Sequence, residues 1–289
     1  MSWKFERVAG PVGFAEGPAW DGEAVLFTDI PNSLIMRYDC RSGGCSQFRA
    51  GTNEANGLMF DRDGRLFACE GGGRRVVLYQ PDGTSTVIAD RFEGRRLNSP
   101  NDLAFDGAGR LWFTDPRYGD VVDDLELDHQ SVFRLDPGSG GRWEVHRATF
   151  DTTRPNGLLV SPDQRWLYVA QSHYGEKLEL RAYPIDAEGA LGPCEVLHNF
   201  HPHRGIDGMC LDTDGNIVAT AGWEESGPGP MIYVFSPRGR VLATHPVPAD
   251  RPTNCTFGDA DRKTLYVTAS GCLFRARTEH TGYMIFPPG

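Results

Sequence analysis

An all-β chain folded as a six-bladed β-propeller is predicted by three observations. One unit recurs six times, its apolar runs are too short for helices, and its copies fill the 289 residues. The unit is a polar opener, a short apolar run, an acidic turn and a second apolar run. The openers are Glu16 (EGPAWDG, then VLFTD), Asn56 (NGLMFDRDG, RLFACE), Asn101 (NDLAFDGAG, RLWFTD), Asn156 (NGLLVSPDQ, RWLYVAQ), Asp207 (DGMCLDTDG, NIVATA) and Asn254 (NCTFGDADR, TLYVTA), at intervals of 40, 45, 55, 51 and 47. Five residues after each opener stands Asp21, Asp61, Asp106, Ser161, Asp212 or Asp259, types that turn a chain by hydrogen-bonding their own backbone. The flanking runs, rich in Leu, Val, Phe, Tyr and Trp, predict a hairpin of two strands. SLIMRYD, RRVVLYQ, SVFRLD, LELRAYPI, MIYVFSP and CLFRART supply a third strand, and a weaker fourth usually follows. Four antiparallel strands make a blade, and the spacing matches blades of roughly 40–50 residues. Residues 1–289 are therefore expected to form one domain. The last unit is a strand short, so Trp3–Val8 or the C-terminal YMIF is expected to complete the ring and hide its edges.

Composition narrows the partners. The net charge is −10, from 29 basic and 39 acidic side chains, and no Lys/Arg-rich run interrupts it. That excludes an electrostatic footprint for nucleic acid or a membrane surface and leaves a small molecule. No leader-like apolar segment opens the chain and no window approaches the ~18 apolar residues of a membrane span, so a cytoplasmic location is expected. The seven cysteines are odd in number and lack CxxC spacing, which predicts reduced thiols rather than a disulfide framework or a zinc site. His201 and His203 in HPHRGID are two ligands without a third.

The hairpin register gives the openers a direction. The start of the first strand and the end of the second lie at one end of the blade, so the six openers ring one mouth of the central channel. Two carboxylates and four amides form an all-oxygen set suited to a hard divalent cation. Glu16, Asn101, Asn156 and Asp207 are the expected metal ligands. Ca²⁺ is the expected ion, with Zn²⁺, Mg²⁺ and Mn²⁺ as alternatives. Without a cation Glu16 and Asp207 would repel each other and raise each other's pKa. The competing reading of the Asn-Gly and Asp-Gly openings is turn chemistry. The loops DPRYGDVVDDLELDHQ, SHYGEK and GWEESGPGP return to the mouth and bring Tyr118, His173 and Trp223.

EGPAW at Glu16, NSPNDLAFDGAGRLWFTDPRYG from Asn98, RPNGLLVSPD from Arg154, IDGMCLDTDGN from Ile206 and TNCTFGDADRKTLYVTA from Thr253 resemble signatures of the gluconolactonase, regucalcin (senescence marker protein) and related lactonase family, closest to its bacterial gluconolactonases. Diisopropylfluorophosphatase is a more distant relative. The resemblance spans nearly the whole chain. It implies a propeller with a divalent cation held at Glu16, Asn156 and Asp207, and in some members at Asn101. It also implies a proton-moving role for Asp207 and a substrate contact for Asn101. Regucalcin carries an Arg where this chain has Ser99.

The expected activity is metal-dependent hydrolysis of a sugar-acid lactone, the cation polarising the carbonyl. Asp207 is the expected general base and acid, with hydroxide delivered by the ion as the alternative. Asn101, Ser99, Tyr118 and His173 are the expected substrate contacts. Rival readings are a phosphotriesterase-like hydrolase and a non-catalytic propeller binding a ligand through a metal. No oligomeric state is implied.

Overall fold

A computed structural model of the protein describes residues 2–118 and 122–287. Six four-stranded antiparallel sheets are arranged as the blades of a β-propeller. The inner strands, in blade order, are Ala15–Trp20, Ala55–Phe60, Leu103–Phe105, Pro155–Val160, Ile206–Leu211 and Pro252–Gly258. Each is the first strand of its repeat, so the openers Glu16, Asn56, Asn156, Asp207 and Asn254 lie within them and Asn101 directly precedes its strand.

The acidic positions act as turn formers. Asp61 Oδ1 accepts from the N–H groups of Asp63 and Arg65 at 3.0 and 2.8 Å, and Asp106 and Asp212 repeat the pattern. Ser161 does the same with its hydroxyl, accepting from the Trp166 N–H at 2.9 Å. Asp259 differs: its carboxylate accepts from the hydroxyls of Thr264 and Tyr266 instead.

The ring is closed by the N-terminus. Glu6–Ala9 is the outer strand of blade 6, pairing antiparallel with Cys272–Arg277, and a Glu6–Arg275 ion pair reinforces the register. Upstream, the Trp3 ring stacks on His245 at 3.8 Å and its indole N–H donates to Glu279 at 2.9 Å. Such closure joins the chain ends in one sheet and leaves no blade with a missing strand.

YMIF has another place. Tyr283 N–H donates to the Leu211 carbonyl, and Met284, Ile285 and Phe286 lie with Trp20, Phe60 and Phe105 across the channel, at the end away from the openers. His280 anchors this tail through Nδ1, 2.7 Å from Asp212 Oδ2. Between the blades, apolar residues alternate to fill the core, with Trp112, Phe113 and Phe133 fully buried. No helix among the described residues is long and apolar enough to cross a membrane.

Deleting residues 1–9 uncovers the blade 6 edge and should lower the melting temperature sharply. Trp3→Ala should cost about 3–5 kcal/mol, the usual loss for a buried aromatic. Thermal melts check both, and unchanged melting would exclude ring closure by the N-terminus.

Candidate active site

The six inner strands crowd together at the axis, and the sequence meets this crowding at the residue after each opener. Those residues are Gly17, Gly57, Asp102, Gly157, Gly208 and Cys255. A Cβ on Gly17 would lie 2.0 Å from the Asn56 carbonyl oxygen, and one on Gly208 would lie 2.1 Å from the Asn254 side chain. Only glycine leaves that room. Gly57, Gly157 and Gly208 therefore serve packing around the axis, and Gly17 combines the same close approach with a left-handed backbone, φ 52°.

Irregular register accompanies every opener within a paired inner strand: the pairing shifts between Glu16 and Ala19, Ala55 and Leu58, Pro155 and Leu158, Ile206 and Met209, and Pro252 and Asn254. Bulges of this kind re-aim side chains beside functional sites. Here they accompany a ring of oxygen donors about the channel.

Glu16 is 4% exposed. Burial pushes its carboxyl well above the usual range, and the charges of Asp207 and Asp102 push it further. Its Oε2 accepts from the Gly17 N–H at 2.6 Å. Asp207 is also raised by burial, held back by Arg204 and by Asn156. Asn156 Nδ2 donates to its Oδ1 at 2.6 Å and Arg204 Nη2 to its Oδ2 at 2.5 Å. Burial lifts Asp102 to about 7, and its Oδ2 lies 3.4 Å from Asn254 Nδ2. Asn101, Asn156 and Asn254 are all buried.

The donor set fits a divalent cation by its chemistry. Two carboxylates that repel each other, flanked by amides, suit a hard cation, and a charge of +2 would relieve the repulsion. No group of three or more His, Cys, Asp or Glu side chains among the described residues could hold a metal. A site here would therefore rest on a mixture of carboxylates and amides.

The expected substrate contacts divide. Tyr118 stands at the mouth, where burial and the Asp207 charge push its hydroxyl well above the ordinary phenol range, with Arg154 and Arg204 opposing. Ser99 is tied to the scaffold: its N–H donates to Asp115 at 2.8 Å and its hydroxyl to the Gly71 carbonyl at 3.2 Å. His173 faces Glu176 of its own hairpin, 3.1 Å away. Its neighbour Tyr174 takes the position near Arg204 and Asp207. Part of the long third loop, residues 119–121, lies outside the described residues. Arg204, Asp102 and Tyr174 escaped sequence reasoning. Arg204 had one available signal, its place three residues before Asp207, matched by Arg251 three before Asn254 and Arg154 two before Asn156.

Comparison with known proteins identifies the family. Residues 14–271 match the model of the SMP-30/gluconolactonase/LRE-like region. The chain belongs to this family. It is 33% identical to the gluconolactonase of Zymomonas mobilis, over 98% of this chain and 83% of that protein. It is 30% identical to a pentonolactonase of Haloferax volcanii, over 89% of this chain and 81% of that one. Among solved structures, a gluconolactonase of Xanthomonas campestris superposes with a TM-score of 0.84 at 30% identity, covering 95% of this chain and 89% of that chain.

The raised carboxyls have a sign that can be checked. An acid whose folded pKa lies above its unfolded value binds protons preferentially in the folded state, so stability falls as pH rises between the two values. For Asp102 that window runs from an unfolded value of ~3.9 to about 7. In chelator, Glu16→Gln should raise the melting temperature and flatten the loss of stability across this range. A lower melting temperature at neutral pH would refute the repulsion argument.

Proposed function

We propose that the protein is a sugar-acid lactonase dependent on a divalent cation. The observation that carries this reading is the mutually repelling pair of buried Glu16 and partly buried Asp207 on the channel of a gluconolactonase-family propeller. Glu16, Asn156 and Asp207 would hold the cation, with Asn101 as a further ligand or a substrate contact. Ca²⁺ is the ion that the all-oxygen donors favour. When bound, the cation supplies Lewis-acid polarisation of the ring ester's carbonyl.

Everything else falls to the chain. Asp207 accepts a proton from the attacking water as the water oxygen bonds to the carbonyl carbon. Burial makes it more basic than an exposed carboxylate, while the Arg204 guanidinium opposes that shift and fixes its orientation. The same proton then passes to the ring oxygen as the ester C–O bond breaks, leaving an open-chain hydroxy acid. Tyr118 remains protonated and can donate to an oxygen of the substrate. The enclosed ring of fixed donors lowers the local dielectric, which strengthens each of these interactions.

Asp207→Asn should cut kcat on a glucono- or pentonolactone by at least ~10²-fold, in the range typical of a lost general base, with little change in the melting curve. EDTA should abolish acid release and Ca²⁺ should restore it. Undiminished turnover in either experiment rules out the corresponding role.

A further inference from the structure

The mouth is one-sided in charge. The segments leading into the inner strands of blades 4, 5 and 6 each carry an arginine: Arg154, Arg204 and Arg251. The equivalent segments of blades 1, 2 and 3 hold Gly13 and Phe14, Asn53 and Glu54, and Asn98 and Ser99. Each arginine also meets an aromatic ring from the loop of the preceding blade. Arg154 lies over Tyr118 at 5.5 Å, Arg204 neighbours Tyr174, and Arg251 lies over Trp223 at 5.1 Å. Tyr174 and Trp223 are themselves 6.1 Å apart. Three guanidinium–aromatic pairs thus form a continuous arc around half of the opening.

These cations are not equally neutralised. Arg204 is saturated by Asp207 and by the carbonyls of Gly222 and Pro252. Arg251 has Asp250 at 3.4 Å, and its side chain is half exposed. The Arg154 side chain makes no hydrogen bond or ion pair among the described residues, and its Nε is buried without a partner. Elsewhere on this end of the propeller, Arg74 and Arg117 are tied to Asp124. Glu176 faces His173, and Glu224 and Glu225 are exposed on a hairpin turn. A buried guanidinium nitrogen left without an acceptor is costly in a finished structure, and a planar fork beside an aromatic face suits an oxyanion.

We propose that this arc is an anion subsite, so that the preferred substrates are lactones bearing a second acidic group, a carboxylate or a phosphate ester, away from the ring ester. The proposal rests on the lactonase reading and deepens it. The ring ester would sit over Asp207 while the acidic group reaches Arg154 and, further out, Arg251. In a chain of net charge −10, a local cationic arc also selects the approach of such substrates against the general repulsion.

Two measurements test it separately from turnover. Calorimetric titration with D-glucuronate and with D-glucose, neither of which has an ester to hydrolyse, reads the subsite directly. The acidic sugar should bind at least ~10-fold tighter, an advantage weakened by added salt and lost in Arg154→Ala. Arg154→Lys should recover part of it, and Arg251→Gln should reduce the salt dependence without removing the advantage. Equal binding of the two sugars by the wild-type protein, or an advantage that survives Arg154→Ala, overturns the subsite. Kinetics on glucaro-1,4-lactone, 6-phosphogluconolactone and glucono-1,5-lactone then identify which acidic group is favoured; a wild-type preference for the neutral lactone counts against the proposal. Absence of acid release from every lactone would sink the lactonase reading while leaving the titration result standing.

Discussion

The repulsion between carboxylates held at the axis of the propeller is the constraint on which the other features of the site depend. Glu16 is buried and Asp102 and Asp207 are partly buried, all within range of one another's charge, an arrangement that works against folding unless cationic or hydrogen-bonding groups compensate. Arg204 supplies one compensation, the amides of Asn156 and Asn254 others. The glycines beside the openers let the backbones come close enough for these groups to meet, and the bulged registers accompany the turn of each opener toward the channel. The rigid packing of the blades holds this arrangement in place, since six sheets closed by an N-terminal strand cannot spread to relax the charges.

That tension links stability to chemistry. A carboxylate made more basic by burial and oriented by a guanidinium is suited to moving a proton, because the same field that destabilises it in the resting protein raises its affinity for the proton it must take. Substitutions that relieve the repulsion should stabilise the fold at the expense of function, the trade commonly found where active sites store unfavourable electrostatics.

Much of this was legible in the sequence because the fold is periodic. The recurrence of a polar opener and an acidic turn located all six inner strands, and it put Glu16, Asn156 and Asp207 on a shared ring before any coordinates. What escaped lay on the connections or where one blade departs from the common repeat. Arg204 precedes its opener by three residues, as Arg251 does, but the spacing slips by one at Arg154 and no arginine stands there in the other three blades, while Tyr174 sits on a connection whose length differs from blade to blade. Asp102 was hidden in the slot that glycine fills in four other blades, and its significance appears only when Asn254 is seen across the axis. The YMIF segment satisfies every local criterion for a strand. Its actual role depends on the channel, a surface made by residues from many blades that no window of sequence contains. The glycines after the openers fit turn chemistry when viewed locally, yet each makes a close contact with the next blade, 39 or more residues away.

The tail has one more consequence. With Met284, Ile285 and Phe286 seated across the far opening, the propeller's bore is a cul-de-sac rather than a tunnel. Incoming ester and outgoing hydroxy acid must then share a single doorway, and the departing product, newly charged, passes the same guanidinium groups that greet the substrate.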